Sequence, residues 1–316
     1  MPRKFIEDLR PGDSVQQPFL VRDKQLRTQR DGAFYMDLEL MDRTGVVASK
    51  FWSASRELFE SFAPDDFVLV KARAESYRGR LQLVVTDLRR IEPSEVDVED
   101  FLPRTTKDVA ALVARLREAV GALRNPHLKA LLSALLDDGE FMRRFQRAPA
   151  GVSMHHACLG GLLEHTVAVL ELALKVCDAY PNLNRDLLVA GAIVHDIGKI
   201  EAYQFERGFR YSDAGGLLGH LPLGAAMIEQ RAAAIQGFPR PLLHQLLHLI
   251  LSHHGEYEFG SPVLPATAEA IALHYLDNLD AKLAAFEAAM LEDWDEESNW
   301  TEWSRAFERR LFKKKV

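Results

Sequence analysis

His195 and Asp196 close the apolar run Ala190–Val194 and are followed by Gly198 and Lys199. An imidazole and a carboxylate at the end of a buried segment are costly unless something pairs with them. A divalent cation is one such partner. Imidazole with carboxylate suits manganese, iron, cobalt, nickel or zinc, and no thiolate set is present. A buried His–Asp hydrogen bond without a cation is the bland alternative. Other residues of the same types lie near helical stretches. They are His165 in Gly-Gly-Leu-Leu-Glu-His-Thr, His220 in Leu-Leu-Gly-His-Leu-Pro, His253 and His254 in Ser-His-His-Gly, and Asp277 in His-Tyr-Leu-Asp-Asn-Leu-Asp. The chain has 11 histidines, so not all are ligands. His127 and His244 read as surface residues, and His248 as a satisfied core histidine.

The order His, His-Asp, His, His-His, Asp over about residues 150–290 resembles the HD-domain superfamily of metal-dependent phosphohydrolases. That resemblance implies a first cation on His165, His195, Asp196 and Asp277. It implies a second on His220, His253 and His254, with Asp196 bridging. Two cations lower the pKa of a shared water, and the resulting hydroxide would attack phosphorus. Asp196 and Lys199 are the catalytic candidates, Lys199 as a holder of a non-bridging phosphate oxygen. Asp280 and His274 would support the ligands from behind. His156, near a helix start, is a candidate phosphate contact. Some cyclic-dinucleotide phosphodiesterases of the superfamily carry a glutamate at the position of Gly161, so a third cation is not expected. The Gly-Tyr-Pro signature of that group is replaced by Gly255-Glu-Tyr-Glu.

These residues need elements to carry them, and the 316 residues allow two domains. Residues 1–92 read as an all-β unit. The expected strands are 14–21, 34–41, 46–51, 67–75 and 81–91, with a short helix 54–61 capped by Ser53. Three strands, a helix and two strands is the order of an OB-fold. Its two binding loops would be Lys24–Gly32, with Lys24, Arg27 and Arg30, and Tyr77–Arg80, with Tyr77, Arg78 and Arg80. A ring and cations are what a single strand needs. Solvated turn charges are the bland account of the same residues, and core packing that of Phe51 and Trp52. Residues 93–106, with Pro93, Pro103 and an acidic run, read as a linker.

From residue 107 the pattern is helical. Expected helices include one with the stripe Val109, Leu112, Val113, Leu116 and Val120, two short ones around Asp137-Asp-Gly139, and 157–180, 185–194, 224–235, 241–252 and 266–290. A hairpin or loop is expected over 203–211. The tail from Trp300 reads as an amphipathic helix with a basic end, Lys313-Lys-Lys315, which suits the helix dipole or a phosphate contact. The fold class is therefore multidomain α+β: a five-stranded OB-like barrel followed by a helical HD bundle over 107–316.

Hydrophobic content of 47% and charged content of 27% are those of a globular protein. No apolar run approaches the ~20 residues that span a bilayer, and the first residues hold no apolar core for secretion. Cys158 and Cys177 read as core thiols in a reducing compartment, which gives a cytoplasmic expectation. The net charge of −7 divides unevenly: residues 1–92 hold 16 Lys and Arg against 15 Asp and Glu, and 93–316 hold 23 against 31. That division is compatible with nucleotides or single strands as partners.

The two units together resemble the YhaM-type 3′–5′ exoribonucleases over nearly the whole chain. The resemblance implies hydrolysis of single-stranded RNA from its 3′ end, with single-stranded DNA as a second candidate, and release of 5′-mononucleotides. It implies two divalent ions, Mn2+ or Co2+ ahead of Fe, Ni, Zn or Mg, and a homo-oligomer. The competing reading is an HD-type nucleotide phosphatase or cyclic-nucleotide phosphodiesterase whose OB unit is regulatory or structural. A non-catalytic nucleic-acid binder with a structural metal is the third.

Overall fold

The computed structural model describes residues 3–29, 32–152, 157–205, 208–292 and 298–313. Arg30, His156, Lys314 and Lys315, named above as candidate contacts, lie outside the described residues. The chain divides into two compact units, one built mainly on Met1–Arg104 and the other on Thr105–Phe205 and Phe209–Val316.

The first unit is a closed barrel with strand order β1-β2-β3-β5-β4. Its elements are β1 (Ser14–Thr28), β2 (Phe34–Asp42), β3 (Gly45–Phe51), helix α1 (Arg56–Glu60), β4 (Phe67–Tyr77) and β5 (Arg80–Ile91). β3 pairs β5 in parallel, and the other pairings are antiparallel. Alternation fills the interior: Met36, Leu38 and Leu40 point inward beside Phe19, Val21, Val68, Val70 and Leu83. β1 runs seven residues beyond the expected end at Val21. Its first half pairs β4, a register shift lies between Val21 and Asp23, and its second half pairs β2. A bulge lets one strand turn a barrel corner in this way, so Lys24 and Arg27 stand on a strand rather than in a loop. Ser55, not Ser53, caps α1, accepting from Leu58 N at 3.1 Å. The segment expected as a linker holds short 3-10 turns at Pro93–Glu95 and Val98–Asp100. Phe101 is buried edge-on against Phe67, with ring centroids 4.9 Å apart.

The second unit is helical. Its elements are α2 (Val109–Gly121), α3 (Pro126–Asp137), α4 (Gly139–Phe145), α5 (Gly161–Ala179), α6 (Arg185–Val194), α7 (Lys199–Ala202), a two-stranded ribbon of β6 (Tyr203–Gln204) and β7 (Arg210–Tyr211), α8 (Asp213–Leu218), α9 (His220–Ala233), α10 (Arg240–Ser252) and α11 (Ala268–Glu292). Side chains of Asp108, Asn125, Asp138 and Asn184 cap α2, α3, α4 and α6. α6 is the hub: every residue from Leu187 to Val194 is buried, and it packs on α5, α10 and α11. Gly191 lets α10 approach, since a methyl there would overlap Leu249.

Three expectations for this unit are corrected, and one helix, α8, was not expected. α5 begins at Gly161, because Gly160 takes a left-handed φ of 81° that no other residue adopts cheaply. α9 begins at His220, before Pro222, because proline is tolerated in a first turn whose N–H groups have no helical partner. α8 was hidden by Gly215 and Gly216, and Ser212 caps it. The tail is not a helix over residues 300–313. It folds back on itself through bridges Trp300–Phe312 and Ser304–Arg309.

Candidate metal centre

Five helix ends and faces converge. His165 lies on α5, and His195 is the residue at which α6 stops. Asp196 sits in the turn before α7. His220 opens α9, His253 follows the last residue of α10, and Asp277 lies on α11. Their donor atoms form two clusters, His165/His195/Asp196/Asp277 and His220/His253/His254, each within 4.8 Å internally.

In the first cluster, His165 Nε2 is 3.1 Å from His195 Nε2, 3.1 Å from Asp277 Oδ1 and 3.5 Å from Asp196 Oδ2. His195 Nε2 is 3.4 Å from Asp196 Oδ2. Asp196 turns its other oxygen to the second cluster, with Oδ1 3.3 Å from His220 Nε2 and 3.5 Å from His253 Nε2. Donors sharing an ion at roughly 2.0–2.2 Å stand about 3–3.5 Å apart.

The ring orientations say which nitrogens are available. His195 Nδ1 reaches Ala192 O at 3.0 Å, His253 Nδ1 reaches Ile250 O at 2.8 Å, and His254 Nδ1 reaches Phe259 O at 2.7 Å. A carbonyl only accepts, so each Nδ1 must carry the proton. His165 Nδ1 donates to Asp280 at 2.6 Å. When neutral, all four rings present Nε2 lone pairs to the centre. Lone pairs 3.1 Å apart, as on His165 and His195, repel unless a cation or proton lies between them. Among the described residues, Asp196 Oδ1 and His220 Nε2 are buried without a hydrogen-bond partner. Orphaned buried atoms of these types, facing each other, fit a cation.

Burial opposes a charged His165, but Asp196, Asp277 and Asp280 together outweigh it and hold the imidazole well above its usual pKa. Burial also opposes ionisation of Asp196, yet Lys199 and His195 with His165 hold its carboxyl well below the usual range. Asp277 is likewise lowered against burial by His165, His253 and His195. For His220 burial wins, pushing the imidazole down to about 4 against the pull of Asp196. His254 is lowered by burial and by His253. The field that favours a proton on His165 also favours a cation.

Lys199 is 8% exposed, and its Nζ donates to Asp196 Oδ2 at 2.5 Å. It opens α7, a new helix after the turn at Gly198. His274 touches the main chain of a candidate ligand, with Nδ1 2.8 Å from His253 O.

The barrel residues are placed differently. Lys24 donates to the carbonyls of Phe59 and Phe62 and lies over both rings. Burial lowers its pKa, and it pins α1 to the barrel. Arg27 pairs with Asp37 at 2.8 Å. Tyr77 is exposed, and Arg78 lies over its ring in the β4–β5 turn with φ 50°. Arg80 begins β5. The sequence reading missed a second set. Trp52 is 47% exposed and stacks on Tyr35, with centroids 5.1 Å apart at 28°. Lys50 lies over both rings. Arg27, Lys50 and Asp37 also line a nearby cavity of about 320 Å³. The available signal was an aromatic residue at the start of β2 and another just past the end of β3, which antiparallel pairing brings together.

Comparison with known proteins bears on this centre directly. The HD domain model matches residues 162–282, which hold every ligand candidate. The chain is 34% identical over 314 residues to the 3′-5′ exoribonuclease YhaM of Geobacillus sp. (strain WCH70), covering 99% of this chain and 95% of that one. It is 33% identical over 304 residues to the 3′-5′ exoribonuclease YhaM of Bacillus subtilis (strain 168), covering 96% and 95%. The chain belongs to the YhaM 3′-5′ exoribonuclease family. Among solved structures, the second OB-fold domain of replication protein A from Methanococcus maripaludis is 21% identical, with TM-score 0.24, covering 28% of this chain and 94% of that chain. The PgpH phosphodiesterase HD domain of L. monocytogenes is 18% identical, with TM-score 0.31, covering 46% and 74%. In this YhaM-family chain, no helix among the described residues is long and apolar enough to cross a membrane.

Proposed function

We propose that the protein shortens single-stranded RNA from the 3′ end, one 5′-mononucleotide at a time, at a centre that holds two divalent cations. One observation carries the proposal. Asp196 presents Oδ2 to His165 and His195 and Oδ1 to His220 and His253, which is the geometry of a shared carboxylate. His165, His195, Asp196 and Asp277 would hold one cation. His220, His253 and His254, with Asp196, would hold the other. Bound there, the cations would supply Lewis acidity, bringing the ionisation of a water toward neutral pH and neutralising the phosphodiester as charge develops.

The protein's own part is orientation. Asp280 holds the Nδ1–H of His165, which keeps its Nε2 toward the centre. Ala192, Ile250 and Phe259 do the same for their histidines through backbone oxygens. Lys199 fixes Asp196 with one N–H, and an ammonium has three. We assign a second N–H to a non-bridging phosphate oxygen. Imidazole and carboxylate donors without thiolate suit manganese, iron, cobalt, nickel or zinc, and it is the resemblance to YhaM-type exoribonucleases that puts Mn2+ or Co2+ first. On the barrel, Tyr35, Trp52, Lys50 and Arg27 are the surface we assign to strand binding, since rings with flanking cations accept any base.

The test is a time course on 5′-labelled single-stranded RNA and DNA with a panel of divalent ions. The proposal expects a ladder that shortens from the 3′ end with Mn2+ or Co2+ and stops with chelator. Intact oligomer under every ion, beside hydrolysis of free nucleotides, would overturn it.

A further inference from the structure

The turn after the paired histidines carries two rings into solvent. Tyr257 is 65% exposed and Phe259 63%, both in a single 3-10 turn. The turn is held at several points. Gly255, at φ 80°, lies against the His274 ring, where any Cβ would overlap the imidazole. His274 Nδ1 in turn donates to His253 O at 2.8 Å. Ser261 Oγ lies 3.0 Å from Leu251 O and 2.7 Å from Val263 O. The Phe259 carbonyl accepts from His254 Nδ1 at 2.7 Å. The two rings are therefore presented by a fixed segment that is hydrogen-bonded to a residue of the second cluster.

Isolated exposed apolar residues need no explanation, but two rings in one anchored turn beside a cation-binding cluster do. We infer that Tyr257 and Phe259 form the stacking surface for the nucleobase of the 3′-terminal nucleotide. The inference rests on the exoribonuclease reading above. For cleavage, the last phosphodiester must come to the clusters, and its terminal base then lies one ribose away, against whatever flanks them. Every base has a π-face, so a ring accepts each in turn, as an enzyme that removes residues without regard to sequence requires. Single-stranded RNA bases are recognised largely by such stacking on aromatic side chains. Because His254 is oriented by the Phe259 main-chain oxygen, changing the Phe259 side chain leaves that hydrogen bond in place.

The experiment compares two RNAs that differ only at the 3′ end, one with an intact terminal nucleotide and one with an abasic ribose. The full-length parent should process the abasic end about tenfold more slowly in kcat/KM, the order of one lost stack. The Tyr257→Ala/Phe259→Ala double variant should slow on the intact end by a similar factor and treat the two ends alike. Phe259→Trp alone should keep the discrimination. A parent indifferent to the missing base, or a double variant that still discriminates about tenfold, would overturn the stacking role. A parent that shortens neither RNA would instead show that the exoribonuclease reading has failed.

Discussion

A histidine whose Nδ1–H is engaged has only Nε2 left to offer. Here that constraint is applied to His165, His195, His253 and His254 at once. The carboxylate between them is the side chain whose loss should matter most. Asp196→Ala is expected to lose both cations, measured as metal per chain after desalting, whereas His254→Ala should mainly weaken one. Equal metal content in parent and Asp196→Ala would contradict the shared assignment. The same residues set an acid limit. His220 titrates near 4 in the fold and near 6.5 unfolded, so below about pH 6.5 the unfolded chain binds a proton that the fold refuses. Stability with chelator present should fall as pH drops from about 6.5 toward 4. His165 has the opposite sign: its pKa is raised, so its contribution is complete below about 6.5 and fades as pH rises through its folded value. Thermal melts of the parent and His220→Asn across that window separate the two, and a fall of the same size in both would reject the His220 account.

Helices α7 and α9 bring the second cluster to the first through a close backbone approach. Gly198 lies where a methyl would collide with the His220 carbonyl and the Gly224 amide. Gly198→Ala is expected to cost about 1–3 kcal/mol by overpacking, read in urea unfolding, and to displace His220 from Asp196, so that less cation is bound per chain. Unchanged stability and metal content would show that α9 accommodates the methyl. This scale also shows what could be read from the chain. α6 was legible to the residue, because an unbroken apolar run and the polar His195-Asp196 stop agree. α8 was not, since its glycines mimic a loop, and its cap is visible only once Ser212 is seen to accept from Gly215 N. Residues 300–313 read as a helix because their apolar residues fall at helical spacing, yet they form a folded-back ribbon with bridges that no local pattern announces.

The whole chain joins an OB-like barrel to an HD domain, and the order of strands and of ligand motifs was enough to see both. The exact surface of the barrel was not. Lys24 looked like a loop cation because strand propensity weakens after Val21, and only the bulge carries it onto a strand and into contact with Phe59 and Phe62. Trp52 and Tyr35 meet through pairing of β2 with β3, a non-local fact. If they grip the strand, Tyr35→Ala and Trp52→Ala should raise KM on long RNA about five- to tenfold, with kcat on a dinucleotide unchanged. A fall in kcat on the dinucleotide would place their role elsewhere.

His195 and His253 each tie the carbonyl three residues back, at the point where a helix ends. They punctuate the backbone as well as facing the centre. A descendant that abandoned hydrolysis would still have reason to keep them, because without them two buried helix ends would lose a donor. His220 Nε2 and Asp196 Oδ1 have no such second employment. In a distant relative, retention of the first pair signals ancestry of the scaffold, and retention of the second signals that the chemistry survives.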